Sequence, residues 1–547
     1  MKLNFLNKSQ IKKSILFLMM VPISIYAIPS IYYELLITTI PTDVGFKIYG
    51  LNTETPRSAT RGIGDINNDG IDDIFIGARN TNVSPDRLEA GAGYVVFGKA
   101  ENFDEFVNLT DLDSFKGFKI LGEETGDDFG VFASGLGDFN GDGISDLLIN
   151  APDASPNGIT KAGSVYLIFG KTTRRFNTLD LINLNSNIGI KFNGTVPMAT
   201  TGATMSFAGD VNNDGYDDIL IGSRYENIGN TSSAGKVYLI YGGENFQTPF
   251  DLSQIDGVNG IEIHGSQENG ELGSSVGNIG DINNDGITDF AIGAMFETHE
   301  SIPGQNQGSL YVVYGSDSTY TNPYLVTELD DNNGFTIKGG GNNFYTGIVA
   351  SAIGDFNGDD IDDFALTSGG APSTLPGAGT VHVFNGSEEL FPAVIELNNI
   401  PSSVGYFTLR GGLPGDGLRL FSNRSIDFND DGYPDLMLAA SNASPEFNLD
   451  RAGSIFVFFG KEGGYQENII FNQFNTRKWF RIFDRYNFAF IGRTYDTVGD
   501  INGDDVDDII IGTNFTFIPS DPDVTESMAL SYVVYGVPDL IFTNGFD

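Results

Sequence analysis

The sequence predicts an all-β fold, a seven-bladed β-propeller of four-stranded blades closed by its own N-terminal strand, on three observations. A nine-residue Asp/Asn/Gly pattern occurs seven times, beginning at Asp65, Asp138, Asp210, Asp281, Asp355, Asp427 and Asp500. Successive copies are 73, 72, 71, 74, 72 and 73 residues apart, and spacing this even marks a repeat architecture. Between copies lie about four strand-like runs, which is the content of one propeller blade. The composition agrees: 70 glycines and only 19% charged residues in 547 suit strands joined by tight turns.

Residues 1–27 read as an export leader. Lys2, Lys8, Lys12 and Lys13 precede an apolar core from Ile15 to Tyr26, with Ala27 at the expected cleavage position and an uncleaved anchor as the alternative. Residues 28–44 read as a linker, 45–536 as the propeller and 537–547 as a tail outside the repeat. The first repeated strand is Gly45 to Gly50, and it returns at Gly117, Gly189, Gly260 and Gly334, with degraded copies at Gly405 to Gly411 and Trp479 to Phe483. An apolar strand leaves each loop, as Ile74 to Ala78 does. A further strand ends in Gly at Gly98, Gly170, Gly242, Gly315, Gly386, Gly460 and Gly536.

The phase of the repeat predicts how the ring closes. If each blade starts at the strand before the loop, the seventh lacks its outermost strand, and Phe46 to Tyr49 supplies it, covering an edge that would otherwise be open. Deleting residues 43–50 should then destabilise the whole ring.

The repeated pattern has the chemistry of a calcium loop. Oxygens at positions 1, 3, 5 and 9, with the main-chain carbonyl at 7, suit a hard cation, and glycine at position 6 permits the sharp turn. The candidate ligands are Asp65, Asn67, Asp69, Ile71 and Asp73; Asp138, Asn140, Asp142, Ile144 and Asp146; Asp210, Asn212, Asp214, Tyr216 and Asp218; Asp281, Asn283, Asp285, Ile287 and Asp289; Asp355, Asn357, Asp359, Ile361 and Asp363; Asp427, Asn429, Asp431, Tyr433 and Asp435; Asp500, Asn502, Asp504, Val506 and Asp508. Up to seven Ca2+ are expected. The EF-hand loop opens alike but needs Glu at position 12, where this chain has Ile149, followed by a strand rather than a helix. The bland alternative is a metal-free Asx turn; three clustered carboxylates retained in seven copies argue for a neutralising cation.

Charge and cysteine narrow the function classes. The net charge of −42 opposes nucleic acid and anionic membrane as partners, and the absence of cysteine excludes disulfides and thiolate metal sites. Calcium is then the staple available to an exported chain, and a chelator should lower its melting temperature. Gly273-Ser274-Ser275-Val276-Gly277 matches a nucleophile elbow, but it precedes a loop where other repeats have equivalent small residues, so it reads as an inner strand. His264, His299 and His382 are too scattered for a zinc site.

The motifs Gly-Asp-x-Asn-x-Asp-Gly-x-x-Asp, Asn150-Ala151-Pro152 and Gly163-Ser164-Val165-Tyr166-Leu167-Ile168-Phe169-Gly170 resemble the FG-GAP repeats of the integrin α-subunit head, over about nine tenths of the chain. The resemblance implies calcium in the loops and ligand recognition on the face away from them. Asp360 and Asp505 stand where the pattern has Gly, and Ile426 replaces the Gly preceding the other loops, so loops five and seven should bind more weakly and loop six should sit differently. On the far face lie Arg79 to Glu89, Asp153 to Lys161, Tyr225 to Ser233, Phe296 to Gln307, Ala371 to Pro376 and Ser444 to Asp450, with Phe344, Tyr345, Tyr486 and Phe488 in the other connections.

The functional expectation is a secreted, periplasmic or cell-surface, monomeric binding or adhesion module, not an enzyme, that takes a protein or glycan. A lectin is the alternative, and a hydrolase the less favoured one. Phospholipase D of the glycosylphosphatidylinositol-specific kind carries similar repeats beside a separate catalytic domain, which the 44 residues ahead of the repeats are too few to form.

Overall fold

The computed structural model describes residues 34–37, 40–49, 59–173, 175–300, 305–369, 375–420, 425–444, 450–466, 468–471, 478–484, 487–513 and 530–537. The leader, Tyr486 and the tail beyond 537 lie outside them. Seven sheets make seven blades. In blade 2 the strands run outward from Ala133–Gly137 through Asp146–Ala151, Ser164–Ile168 and Gly189–Asn193, each antiparallel to the last.

The expectation of four strands per blade needs correcting, because every blade has five. The fifth is only two or three residues long and parallel to the fourth, as Phe250–Asp251 is beside Gly189–Asn193. It is donated from just ahead of the next blade's outer strand. In blade 2 that donor region is Leu179–Asp180, which pairs back onto blade 1 before the chain reaches Gly189 through the 3-10 turn Leu181–Asn183. Each blade's edge is thus covered by its successor.

The ring closes as the repeat phase predicts. Gly45–Tyr49 pairs antiparallel with Leu530–Val534, Gly45 opposite Val534 and Tyr49 opposite Leu530, and parallel with Phe106–Asn108. Phe46 and Ile48 are buried among Ile74 and Tyr94 of blade 1 and Val498, Ile510 and Val533 of blade 7. Phe46 stacks on Phe103 at 4.1 Å. Within the stretch read as a linker, Glu34–Leu36 is also a strand, parallel to Trp479–Phe483, and forms the fifth strand of blade 6.

Adjacent blades share cores. Phe75, Val95 and Phe118 of blade 1 pack against Leu147, Ile149 and Tyr166 of blade 2. A sheet covered on both faces buries every residue of its second strand, so Asp73–Ala78 and Asp146–Ala151 are continuous buried runs without polar alternation.

Candidate metal centres

All seven loops join the innermost strand of a blade to its second strand, so antiparallel order puts them on one face of the ring. Loop two shows how the sequence builds the turn. Asp138 Oδ1 accepts the amide of Asp142 at 3.0 Å and its Oδ2 that of Gly143 at 2.6 Å. Asn140 Oδ1 also accepts from Asp142 N, and Asp142 Oδ1 accepts from Ile144 N. Position 1 takes the amides of positions 5 and 6 in the other six loops as well. The amide of position 7 bonds to position 5 in Ile71, Tyr216, Ile287, Ile361, Tyr433 and Val506 as it does in Ile144.

The position-9 aspartates tie two motifs together. Asp73, Asp146, Asp218, Asp289, Asp363, Asp435 and Asp508 are buried, and each accepts the amide of a strand-ending glycine: Gly98, Gly170, Gly242, Gly315, Gly386, Gly460 or Gly536. The second oxygen takes the amide of position 2, as Asp146 does from Phe139, except in loop five, where it takes that of Asn357 at position 3. These glycines sit so close that a Cβ on Gly170 would fall 2.3 Å from the Ser145 carbonyl oxygen. The Phe-Gly ending is therefore a packing requirement of the loop beside it.

Positions 4 and 6 both take the left-handed conformation. Asp360 and Asp505 adopt it at φ +67, where the other loops have glycine, and their loops keep the full set of position-1 bonds. Both loops have glycine at position 4, Gly358 and Gly503, as loop two has Gly141. Loop six also has the standard bonds to Asp427 and Asp435, despite Ile426. The difference lies in the strand leading in. In five of the other blades a positive-φ glycine precedes the loop, as Gly64 and Gly209 do at a bulge, and in blade 2 Leu136 takes the positive φ; in blade 6 the described residues pair over Leu418–Leu420 and through an isolated bridge from Ile426 to Asp435.

Burial, with the charges at positions 5 and 1 adding to it, raises the position-9 carboxyls: Asp146, Asp218 and Asp508 to about 8, Asp363 to about 7, and Asp73, Asp289 and Asp435 well above the usual range. Three carboxylates thus repel within each loop, and main-chain amides only partly offset that. Among the described residues no three Asp, Glu or His side chains converge closely enough to hold an ion by themselves. The loop adds amide and main-chain oxygens to its carboxylates. The buried Oδ1 atoms of Asn67 and Asn502 at position 3 accept no hydrogen bond, while Asn67 Nδ2 is tied to Asp73. In loops two, three, four and six the position-3 oxygen instead accepts the position-5 amide; an oxygen donor set beside mutually repelling carboxylates fits a hard divalent cation.

Position 8 has no role in the sequence reading, yet Asp72, Asp217, Asp362 and Asp507 hydrogen-bond to neighbouring loops. The signal available was alternation, since Ser145, Thr288 and Pro434 occupy the intervening copies.

The opposite face is formed by the second-to-third strand connections and by those leading to the next blade. Part of it, residues 301–304, 371–374 and 445–449, lies outside the described residues. Leu88, Met198, Tyr225, Leu413 and Phe488 are exposed there. Met198 and Phe488 are held at φ +63 and +62, whereas the equivalent turn positions in other blades are Asn269, Asn343, Gly126 and Gly415. Of the aromatics expected on this face, Tyr345 packs edge-on against Phe296.

The elbow-like segment lies in the innermost strand of blade 4, Leu272–Gly280. Ser275 Oγ donates to the Gly347 carbonyl and Ser274 Oγ accepts from Met295 N. His264 and His382 lie in strands, and His299 is bonded to Gly308 O and Ser309 Oγ. Among the described residues no helix is long and apolar enough to cross a membrane.

Comparison with known proteins meets the same motifs. The FG-GAP repeat family matches residues 130–168, 201–240, 272–313 and 348–384. Phosphatidylinositol-glycan-specific phospholipase D of Bos taurus is 28% identical over 220 residues, 40% of this chain and 24% of that protein. The Dictyostelium discoideum protein of the same name is 25% identical over 505 residues, 75% of this chain and 52% of its own length. Integrin alpha-PS5 of Drosophila melanogaster is 28% identical over 198 residues, 35% of this chain and 17% of that protein. The chain therefore spans about half or less of these relatives.

Proposed function

We propose, from the premise that this chain belongs to the FG-GAP repeat β-propeller family, that it is an exported, monomeric, calcium-stabilised binding module of the integrin-α-like kind, without catalysis of its own. The observation that carries the binding face is the pair Met198 and Phe488. Large apolar side chains held about half exposed in left-handed turns, where other blades use Asn or Gly, are strained and mostly solvated, although Phe488 meets the Phe490 ring at 6.2 Å between centroids. A protein or glycan ligand on that face would supply the missing contact.

Calcium on the other face would be held by the side chains at positions 1, 3, 5 and 9 and the carbonyl at 7. The ion would neutralise the carboxylates that burial and mutual repulsion now disfavour. Such loops fill at the calcium levels found outside the cytoplasm, which agrees with the leader read at residues 1–27. The test is retention of the purified chain on protein-coated surfaces and on a glycan array, with calcium and with chelator. Adhesion to protein that is lost in Met198→Asn/Phe488→Asn supports the reading, and binding confined to sugars would make it a lectin.

A second reading, a hydrolase, draws on the similarity to proteins named phosphatidylinositol-glycan-specific phospholipase D. Release of a glycan-anchored protein by the purified chain, abolished by changing an acid outside the loops, would establish it.

A further inference from the structure

Position 8 of the loop alternates round the ring: Asp72, Asp217, Asp362 and Asp507 in loops one, three, five and seven, and Ser145, Thr288 and Pro434 in the others. Each aspartate does the same thing. Its Oδ2 accepts the main-chain N–H of position 1 in the preceding loop: Asp217 from Asp138 at 2.8 Å, Asp362 from Asp281 at 3.0 Å, Asp507 from Asp427 at 3.0 Å and Asp72 from Asp500 at 3.2 Å. At two junctions a return bond runs from the aspartate's own amide, Asp217 N to Asp138 O and Asp72 N to Asp500 O, both at 3.2 Å. The remaining junctions have no such clasp from position 8. There Ser145, Thr288 and Pro434 pack against the pre-loop glycines Gly64, Gly209 and Gly354, so that a Cβ on those glycines would come within 2.7, 2.9 and 3.0 Å of them.

Seven is odd, so the alternation fails to close. Loops seven and one both carry aspartate, and loop seven gives a clasp to loop six while receiving one from loop one. The clasp holds the main chain of the first metal ligand, whose carboxylate spans the turn through positions 5 and 6. It also places a negative charge facing both loops, since Asp217 lies near Asp138 and Asp210.

We infer that the position-8 aspartates are positioning residues that align the first metal ligand of the preceding loop, so that the calcium sites of loops two, four, six and seven each depend on an aspartate of the loop that follows round the ring. The inference rests on the calcium reading above. A bond from an amide to a carboxylate contributes enough that removing it weakens the neighbouring site by roughly tenfold.

The test is calcium titration calorimetry on the full chain and on Asp217→Ala, Asp217→Thr, Asp217→Asn and Ser145→Ala, with circular dichroism confirming the fold. Thr copies the unclasped junction at Thr288, and Asn keeps the acceptor oxygen. The expected result is an unchanged number of sites, one of them weakened about tenfold in the Ala and Thr variants, with the Asn and Ser145→Ala isotherms superposing on wild type. Calcium binding by the wild type with an Asp217→Ala or Asp217→Thr isotherm identical to it overturns this inference alone, as does an equal loss in Ser145→Ala. A wild-type chain that binds no calcium overturns both this inference and the reading it rests on.

Discussion

The two faces of the ring are built from connections of the same blades, and they obey different rules. On one face the turn between the first and second strands repeats nearly atom for atom, from Asp65 to Asp508, with the same amides bonded to the same carboxylates. On the other, equivalent turns hold Asn269, Asn343, Gly415, Met198 or Phe488 at a single backbone conformation. The difference teaches where the constraint lies. The repeated face is fixed by its hydrogen bonds and its charge, whereas the equivalent turns of the variable face share a backbone shape while their side chains differ.

The largest expected effect comes from breaking the ring that carries both faces. Deleting residues 43–50 removes Phe46 and Ile48 from the core between blades 7 and 1 and strips the pairing from Leu530–Val534. A loss of at least about 5 kcal/mol in denaturant unfolding is expected, with both faces failing together. A truncated chain that melts like the intact one would show that closure does not depend on this strand.

Two substitutions within one loop separate its hydrogen-bonding role from a metal role. Asp146→Ala strands the buried amides of Phe139 and Gly170 and should cost about 3 kcal/mol with or without calcium. Asp142→Ala, at an exposed position, should change the melt in EDTA little while reducing the stabilisation by calcium. If both variants lose the same stability in chelator, the loop is only a hydrogen-bonded turn.

His382 supplies a pH handle independent of the loops. It is buried in Thr380–Phe384 with neither ring nitrogen hydrogen-bonded, and burial, reinforced by Arg410, lowers its pKa to about 3. The sign follows from linkage. The unfolded chain takes up a proton near pH 6.5 and the folded chain does not, so this contribution is complete above pH 6.5 and is lost as pH falls toward 3. His382→Leu should therefore melt like wild type at pH 7.5 and be more stable than it at pH 5, by about 2 kcal/mol. Equal melts at both pH values would contradict this.

The smallest expected effect is on the variable face. Met198→Asn and Phe488→Asn relieve left-handed strain and should each stabilise the fold by about 0.5 kcal/mol, while ligand capture falls. Destabilisation instead would mean that these side chains are packing the fold.

Much of this was legible because the repeat is long and regular. Seven copies exposed the loop, the first four strands and the phase that assigns Phe46 to the last blade. The fifth strands were not legible, since Leu179–Asp180 or Phe250–Asp251 is too short to carry an alternation and pairs with another blade. Glu34–Leu36 was hidden in the same way, inside an apparent linker. The role of Gly170 could not be read locally, because the carbonyl it must avoid belongs to Ser145, a full strand away. Position 8 was visible as an alternation, but its meaning needed the adjacent blade.

The most direct test of the central claim is the calcium content of the chain after equilibrium dialysis against millimolar calcium, measured by atomic emission alongside thermal melts in calcium and in EDTA. The account predicts saturation at up to seven ions per chain and a marked fall in melting temperature on chelation. Less than one ion per chain, with superimposable melts, would contradict it.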